Sequence, residues 1–220
     1  MTNYIMNKMK TKAVILTFSV LLTLVFLSGC IASDDTGKSA ESLITGKWVS
    51  DKPVDTASLS YAISDDLKNN LSFTELWSYE GNWSYNGTTD DGYDEYIAAY
   101  KNGDTCSFFT SDLAPGLFDI DGYTYTKVNE SEVSGDEPIT GIWIDENSEY
   151  DYKATLVFNE DKTMKENWEY YGFVEYLELL ENGDYKYNLT YAHEDWNSNV
   201  CVSKAGDVFT DSEGNKFHKI

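Results

Sequence analysis

Ile44-Thr45-Gly46-Lys47-Trp48-Val49 returns almost unchanged as Ile139-Thr140-Gly141-Ile142-Trp143-Ile144, 95 positions later. Further matches follow in the same order: residues 71–75 with 156–160 and 82–85 with 167–170 at an offset of 85, 102–104 with 182–184 at 80, and 125–128 with 217–220 at 92. The matching segments keep their order along the chain while the offset between them changes. This is typical of duplication followed by changes in loop length. The sequence therefore predicts two copies of one unit.

Each copy consists of short aromatic and β-branched runs separated by turn residues. Trp77, Tyr79, Trp83 and Tyr85 all stand at odd positions of one run, which is the alternation of a β-strand. Asn-Gly at 102–103 and at 182–183 is a strong hairpin signal, because both residues tolerate positive φ. Such runs at intervals of about 8 to 12 residues predict an all-β fold of antiparallel strands, a sandwich or a barrel.

The first thirty residues predict a secretion signal. Lys8, Lys10 and Lys12 precede an apolar run from Ala13 to Phe26, which is shorter than the roughly 20 residues of a transmembrane helix. Leu27-Ser28-Gly29-Cys30 then resembles the lipobox of prokaryotic lipoproteins, in which cleavage precedes a cysteine that carries a lipid. This resemblance implies a protein anchored to the cell membrane through Cys30, on the extracytoplasmic face.

The repeat and the signal together predict five segments. These are a lipoprotein signal peptide at 1–29, a flexible tether at 30–43, a first β module at 44–128, an acidic linker at 129–138 and a second β module at 139–220. The tether and the linker are polar and lack any periodicity, which is typical of segments that form no packed core.

A Gly-x-Trp at the start of an antiparallel meander resembles the lipocalin-like β-barrels, and both copies carry it, at Gly46 and Trp48 and at Gly141 and Trp143. The resemblance implies two tandem small antiparallel barrels. It also implies that each Trp packs against a basic residue near the last strand. The chain has no arginine, but Lys127 and Lys219 stand in the last strands, where each can make a cation–π contact. Copies of about 85 residues imply strands of about five residues and barrels filled by their own side chains.

The charge of the chain excludes polyanionic partners. Its 16 lysines stand against 38 acidic residues, and removal of the signal leaves 13 lysines and a formal charge of −25. Such a surface repels nucleic acid and anionic lipid head groups. We therefore expect no nucleic-acid partner.

Residues with catalytic or metal-binding chemistry are few. His193 and His218 lie in no motif for nucleophilic catalysis, and the chain lacks the Cys-x-x-Cys or paired-His spacing of a zinc site. Glu95 and Glu175 align as a repeat-equivalent acidic pair, for which outward positions on a strand are the leading interpretation. We expect no catalytic residue, metal or cofactor. Cys106 and Cys201 either form a bridge between the copies or remain two buried thiols.

Trp77, Tyr79 and Trp196 lack aromatic partners in this alignment, which makes them candidates for a binding surface. The candidate glycosylation sites are Asn70, Asn86, Asn129 and Asn188. The leading hypothesis is a non-enzymatic, lipid-anchored surface protein that binds a small apolar ligand, a glycan or a surface protein. The alternatives are a lipocalin-like carrier of a small apolar ligand and an enzyme built on two facing carboxylates.

Overall fold

The computed structural model describes residues 39–65, 71–111, 114–128, 138–147, 152–192 and 196–220. A short helix, α1 (Ala40–Ile44), precedes fourteen strands. The strands are β1 (Gly46–Ser50), β2 (Ser58–Asp65), β3 (Leu71–Thr88), β4 (Asp94–Tyr100), β5 (Thr105–Ser111), β6 (Ala114–Asp119), β7 (Thr124–Lys127), β8 (Gly141–Asn147), β9 (Tyr152–Phe158), β10 (Thr163–Leu179), β11 (Tyr185–Tyr191), β12 (Asn197–Val202), β13 (Val208–Thr210) and β14 (Lys216–Lys219). The predicted signal peptide, Cys30, Asn70, Asn129 and His193 lie outside the described residues, as do most of the tether and linker.

The fourteen strands form one closed antiparallel ring, in which β1 pairs with both β2 and β14. An additional pairing between β3 and β10 divides this ring into two eight-stranded rings. Barrel I contains β1, β2, β3 and β10 to β14, whereas barrel II contains β3 to β10. The prediction of an all-β, antiparallel fold is confirmed.

Two strands are long enough to belong to both barrels. The first part of β3 pairs with β2 and its last part with β4, while β10 pairs first with β9 and then with β11. Gly81 and Gly172 lie where these strands leave one barrel for the other. A Cβ atom would stand 2.4 Å from the Ala99 carbonyl oxygen at Gly81 and 2.2 Å from that of Thr190 at Gly172. Glycine is therefore required at both crossings.

The pairing of β3 with β10 has an approximate twofold symmetry. Trp77 of β3 pairs with Trp168 of β10, and the remaining pairs run outward from this one. Residues of β3 and β10 correspond at an offset of 91, so Trp77 lies opposite its own equivalent. Both strands also carry a β-bulge at the same place, after Tyr85 and after Tyr176. The pairing and the bulges of these two strands are thus symmetrical about the Trp77–Trp168 pair.

The two hydrophobic cores each draw on both copies. The core of barrel I contains Trp48 together with Tyr187, Phe209 and Phe217. The core of barrel II contains Trp83, Tyr96, Phe108 and Tyr125 together with Trp143, Leu156 and Phe158. The predicted modules 44–128 and 139–220 therefore do not coincide with the two cores. The difference arises because β3 and β10 pair across the copies and run for 18 and 17 residues, instead of the expected five.

The central part of the sequence alignment was wrong. Asn102 and Gly103 lie in the turn between β4 and β5, whereas Asn182 and Gly183 lie between β10 and β11. The equivalent of Gly183 is instead Gly92, because Gly92 lies in the turn after the long strand β3 as Gly183 lies in the turn after the long strand β10. The true offset is 91 rather than 80 or 85, so Glu95 and Glu175 are not equivalent.

The two signature tryptophans have matching surroundings. The indole nitrogens of Trp48 and Trp143 each donate to the carbonyl oxygen four residues earlier, at 2.7 Å in both cases. Lys219 Nζ lies 5.2 Å from the Trp48 ring, and Lys127 Nζ lies 5.2 Å from the Trp143 ring. The expected stacking of lysine on tryptophan is present, and each lysine comes from the other copy.

Candidate functional site

The strand alternation of β3 places a carboxyl group inside barrel I. Leu71, Phe73 and Glu75 face the same interior, and Glu75 is only 5% exposed. Its two carboxyl oxygens accept hydrogen bonds from the Trp77 indole nitrogen and from the Tyr191 hydroxyl. Tyr61 of β2 is paired with Glu75 across the two strands and lies beside this carboxyl. Such a carboxyl is costly to bury, and it is stabilised here by two neutral donors.

Burial raises the pKa of Glu75 above the ordinary value of a glutamic acid. The hydrogen bonds from Tyr191 and Trp77 lower it, but loss of hydration is the larger effect. The pKa values of the Tyr61 and Tyr191 hydroxyls are also raised, first by burial and then by the charge of Glu75. These three groups form one coupled set at the open end of barrel I.

A cleft of about 350 Å³ opens over Glu75. It is lined by Glu75, Trp77, Tyr170, Tyr191, Trp196, Asn197, Ser198 and Ser212. A smaller space of about 150 Å³ shares five of these residues and extends toward Tyr61, Asp55 and Asp211. Ligand pockets commonly have about 300 to 1,000 Å³, apolar walls and a few polar groups, and this cleft has that composition.

Aromatic rings form the walls of the cleft. Trp196, which is 53% exposed, meets Tyr191 edge to face with ring centroids 6.3 Å apart. Tyr191 in turn packs on Phe73 at 5.0 Å, which joins the cleft to the core of barrel I. The inner wall is therefore continuous with the core, while Trp196 stands at the rim.

The charged residues around the cleft are all acidic. Glu75, Asp55, Asp211 and Glu213 line its two parts, and no lysine does so among the described residues. The Asp211 carboxylate accepts from the backbone nitrogens of Glu213 and Asn215 at 2.9 and 2.8 Å, and from the Asn215 side chain. Asp211 thus holds the turn between β13 and β14, and Glu75 is the acid that faces the aromatic walls.

Barrel II contains an equivalent carboxyl with different surroundings. Glu166 accepts from the Trp168 indole nitrogen and the Tyr100 hydroxyl, as Glu75 does from Trp77 and Tyr191. Burial also raises its pKa. Tyr123, however, occupies the position of Asn215 and packs edge to face on Trp168 at 5.4 Å. This tyrosine covers the part of barrel II that corresponds to the cleft.

Two of the three candidate aromatics lie at the cleft. Trp77 and Trp196 line it, whereas Tyr79 packs against Tyr100 at 6.2 Å on the barrel II side. The prediction that Trp77 and Tyr79 lack aromatic equivalents was wrong, because the offset of 91 matches them with Trp168 and Tyr170. Sequence reasoning missed Glu75 altogether. The repeated Glu-x-Trp at 75–77 and 166–168 was the signal for it.

The other predicted residues lie away from the cleft. The His218 imidazole stands 3.1 Å from the Asp51 carboxylate on the surface. Cys106 and Cys201 are free thiols, both half-buried, so no bridge joins them. Asn86 is exposed and donates to Glu95 at 2.7 Å, whereas Asn188 is half-buried and donates to Thr190 at 2.9 Å. The described residues contain no cluster of ligands suited to a metal ion.

Comparison of the chain with protein families, with curated proteins and with solved structures found no match. The lipocalin-like resemblance therefore stays a prediction. Within the described part of the chain, no helix has the length and apolar character needed to cross a bilayer.

Proposed function

We propose that this chain is a non-enzymatic binding protein, anchored through a lipid on Cys30 outside the cytoplasm, and that it binds a small ligand in the cleft over Glu75. The observation that carries the proposal is the cleft itself: aromatic walls meet a buried carboxyl at an open barrel end. A flat or apolar ligand body would pack on Trp77 and Trp196, and Glu75 would orient it.

The alternative of an interior carrier has less support. Trp48, Phe209 and Phe217 are fully buried at the centre of barrel I and pack on one another or on Tyr61 at 5.0 to 5.7 Å. A ligand within a lipocalin-like barrel would need this volume. The proposed ligand instead lies at the mouth of the barrel, above the filled core.

An enzyme with two facing carboxylates would require a second free acid beside Glu75. Asp211 lies near enough to influence the pKa of Glu75, but both of its oxygens are engaged in holding its turn. A general acid needs a partner that can act as nucleophile or base. Binding without chemistry is therefore the function that this arrangement supports best.

The test is ligand-observed NMR on the full-length chain in a nonionic detergent. The probe set contains equal numbers of cationic, anionic and neutral fragments with six-membered rings. We expect at least one fragment to bind the wild type and to lose binding in Trp196→Ala. The matched control is Tyr123→Ala in barrel II, which should retain that binding. A set in which no fragment depends on Trp196 would refute the proposal.

A further inference from the structure

We infer that the ligand of the Glu75 cleft is an organic cation with an alkylated ammonium group, seated between Trp77, Tyr191 and the Glu75 carboxylate. The inference deepens the proposed function and rests on it. It assigns alkylated ammonium compounds to the site as ligands, and it requires the Glu75 carboxyl to be ionised when they bind.

The first argument is charge. Among the described residues, the ionisable groups that face Glu75 are acids or phenols: Tyr61 on β2, Tyr170 on β10, Tyr191 on β11 and Asp211 in the turn after β13. Asp55 and Glu213 add negative charge at the smaller end of the cleft. An anionic ligand would be repelled from this site, and a cation would be attracted to it.

The second argument is the aromatic lining. The negative faces of tryptophan and tyrosine rings attract alkylated ammonium groups, and the attraction increases when water is excluded. Trp77, Tyr170, Tyr191 and Trp196 supply four such rings around one carboxyl. A metal ion would gain less from these walls, because hard cations prefer several oxygen ligands.

The third argument is the state of the carboxyl oxygens. Trp77 and Tyr191 already donate to Glu75, one to each carboxyl oxygen, so about two of its roughly four acceptor positions are occupied, and Tyr61 lies beside the carboxyl on the paired strand. A ligand that must donate several hydrogen bonds would compete with these two donors for the same oxygens. An alkylated ammonium needs only the negative charge, which the Trp77 and Tyr191 donors stabilise. Binding of the cation would also supply the counter-charge that the buried carboxylate lacks among the described lining residues.

The experiment is isothermal titration calorimetry of the full-length chain with choline chloride, with its uncharged isostere 3,3-dimethylbutan-1-ol, and with calcium chloride. We expect choline to bind at one site per chain and the isostere to bind about tenfold more weakly or less. Calcium chloride should neither bind in the cleft nor displace choline.

Variants identify the residues responsible. Glu75→Gln should weaken choline about tenfold or more and should remove the preference over the isostere. Trp196→Ala, at the exposed rim, should weaken choline several-fold without affecting the fold. Glu166→Gln is the matched control, because the same group in barrel II is covered by Tyr123, and it should bind choline as the wild type does.

The pH dependence provides an independent readout if Glu75→Gln fails to fold. Choline affinity of the wild type should increase with pH as Glu75 ionises, whereas affinity for the isostere should not. Equal binding of choline and the isostere would overturn the inference, as would displacement of choline by calcium. If only neutral or anionic fragments bound, and their binding depended on Trp196, the proposed function would be supported and the cationic ligand would be refuted. If no fragment and no choline bound, both the proposed function and the cationic ligand would be refuted.

Discussion

Gly172 and Gly81 lie at the two places where a shared strand leaves one barrel and enters the other, and replacement by alanine measures how tight this crossing is. A Cβ atom on Gly172 would stand 2.2 Å from the Thr190 carbonyl oxygen and 2.5 Å from Cε1 of Phe73. Thr190 is fixed by its pairing with Phe173, so the backbone itself would have to move. Added atoms in a packed interior commonly cost about 1 to 3 kcal/mol, and we expect Gly172→Ala to cost about 3 kcal/mol or more.

The assay is thermal denaturation followed by circular dichroism. For domains of this size each kcal/mol lowers Tm by about 2 to 4 °C, so Gly172→Ala should melt about 6 to 12 °C below the wild type. Gly81→Ala meets the Ala99 carbonyl oxygen at 2.4 Å and should lose a similar amount. Glu175→Ala, at an exposed position of β10, is the control and should melt with the wild type.

Two results would refute this reasoning. A Gly172→Ala protein that melts within about 2 °C of the wild type would mean that β10 and β11 do not approach this closely at the crossing. Losses that differ strongly between Gly81→Ala and Gly172→Ala would contradict the twofold relation between the two sites.

Three further outcomes are expected. Burial raises the folded-state pKa of Glu166, so the folded chain holds this proton more tightly than the unfolded chain. The contribution of Glu166 to wild-type stability therefore falls as pH rises from about 4.3, the unfolded value, through the raised folded-state pKa. The stability of Glu166→Gln relative to the wild type should therefore increase over this window in urea titrations, and a constant difference would contradict the assignment. Trp48→Phe and Trp143→Phe should each lose about 1 to 3 kcal/mol, because each leaves a buried carbonyl oxygen without its indole donor, and urea titrations should give similar losses for the two variants. In Triton X-114 partitioning the wild type should enter the detergent phase and Cys30→Ser the aqueous phase; equal partitioning would argue against the lipid.

The sequence predicted an all-β antiparallel fold but not the way in which its two halves combine. Alternation in β3 and the repeated Gly-x-Trp are local signals, and strands are present at both. The pairing of β3 with β10 joins residues about 90 positions apart, and no local pattern specifies it. Gly81 and Gly172 were the accessible signal, since a glycine at the same offset inside two aromatic strands marks a close approach of backbones.

The candidate site was only partly predictable for the same reason. Trp77 and Trp196 were identified as aromatics, but Glu75 was treated as an ordinary strand residue. Its burial depends in part on Tyr191, which reaches it from β11, 116 positions further along the chain. Aligning the copies at the offset of 91 would have shown Glu-x-Trp twice, with a tyrosine at the end of the following strand in each copy, Tyr100 and Tyr191.

The shared strands also determine an order of assembly. Barrel II is formed from one continuous stretch, residues 71–170, whereas barrel I needs β1 and β2 from the beginning of the chain and β11 to β14 from its end. Trp48 pairs with Lys219, so barrel I closes only when the last strand has been delivered. Because chains are synthesised from one end, we expect the outer edge of β1 to wait for β14 while barrel II forms between them. The binding cleft is then among the last features to appear, and a chain that stops short of β14 would lack the closed barrel that supports it.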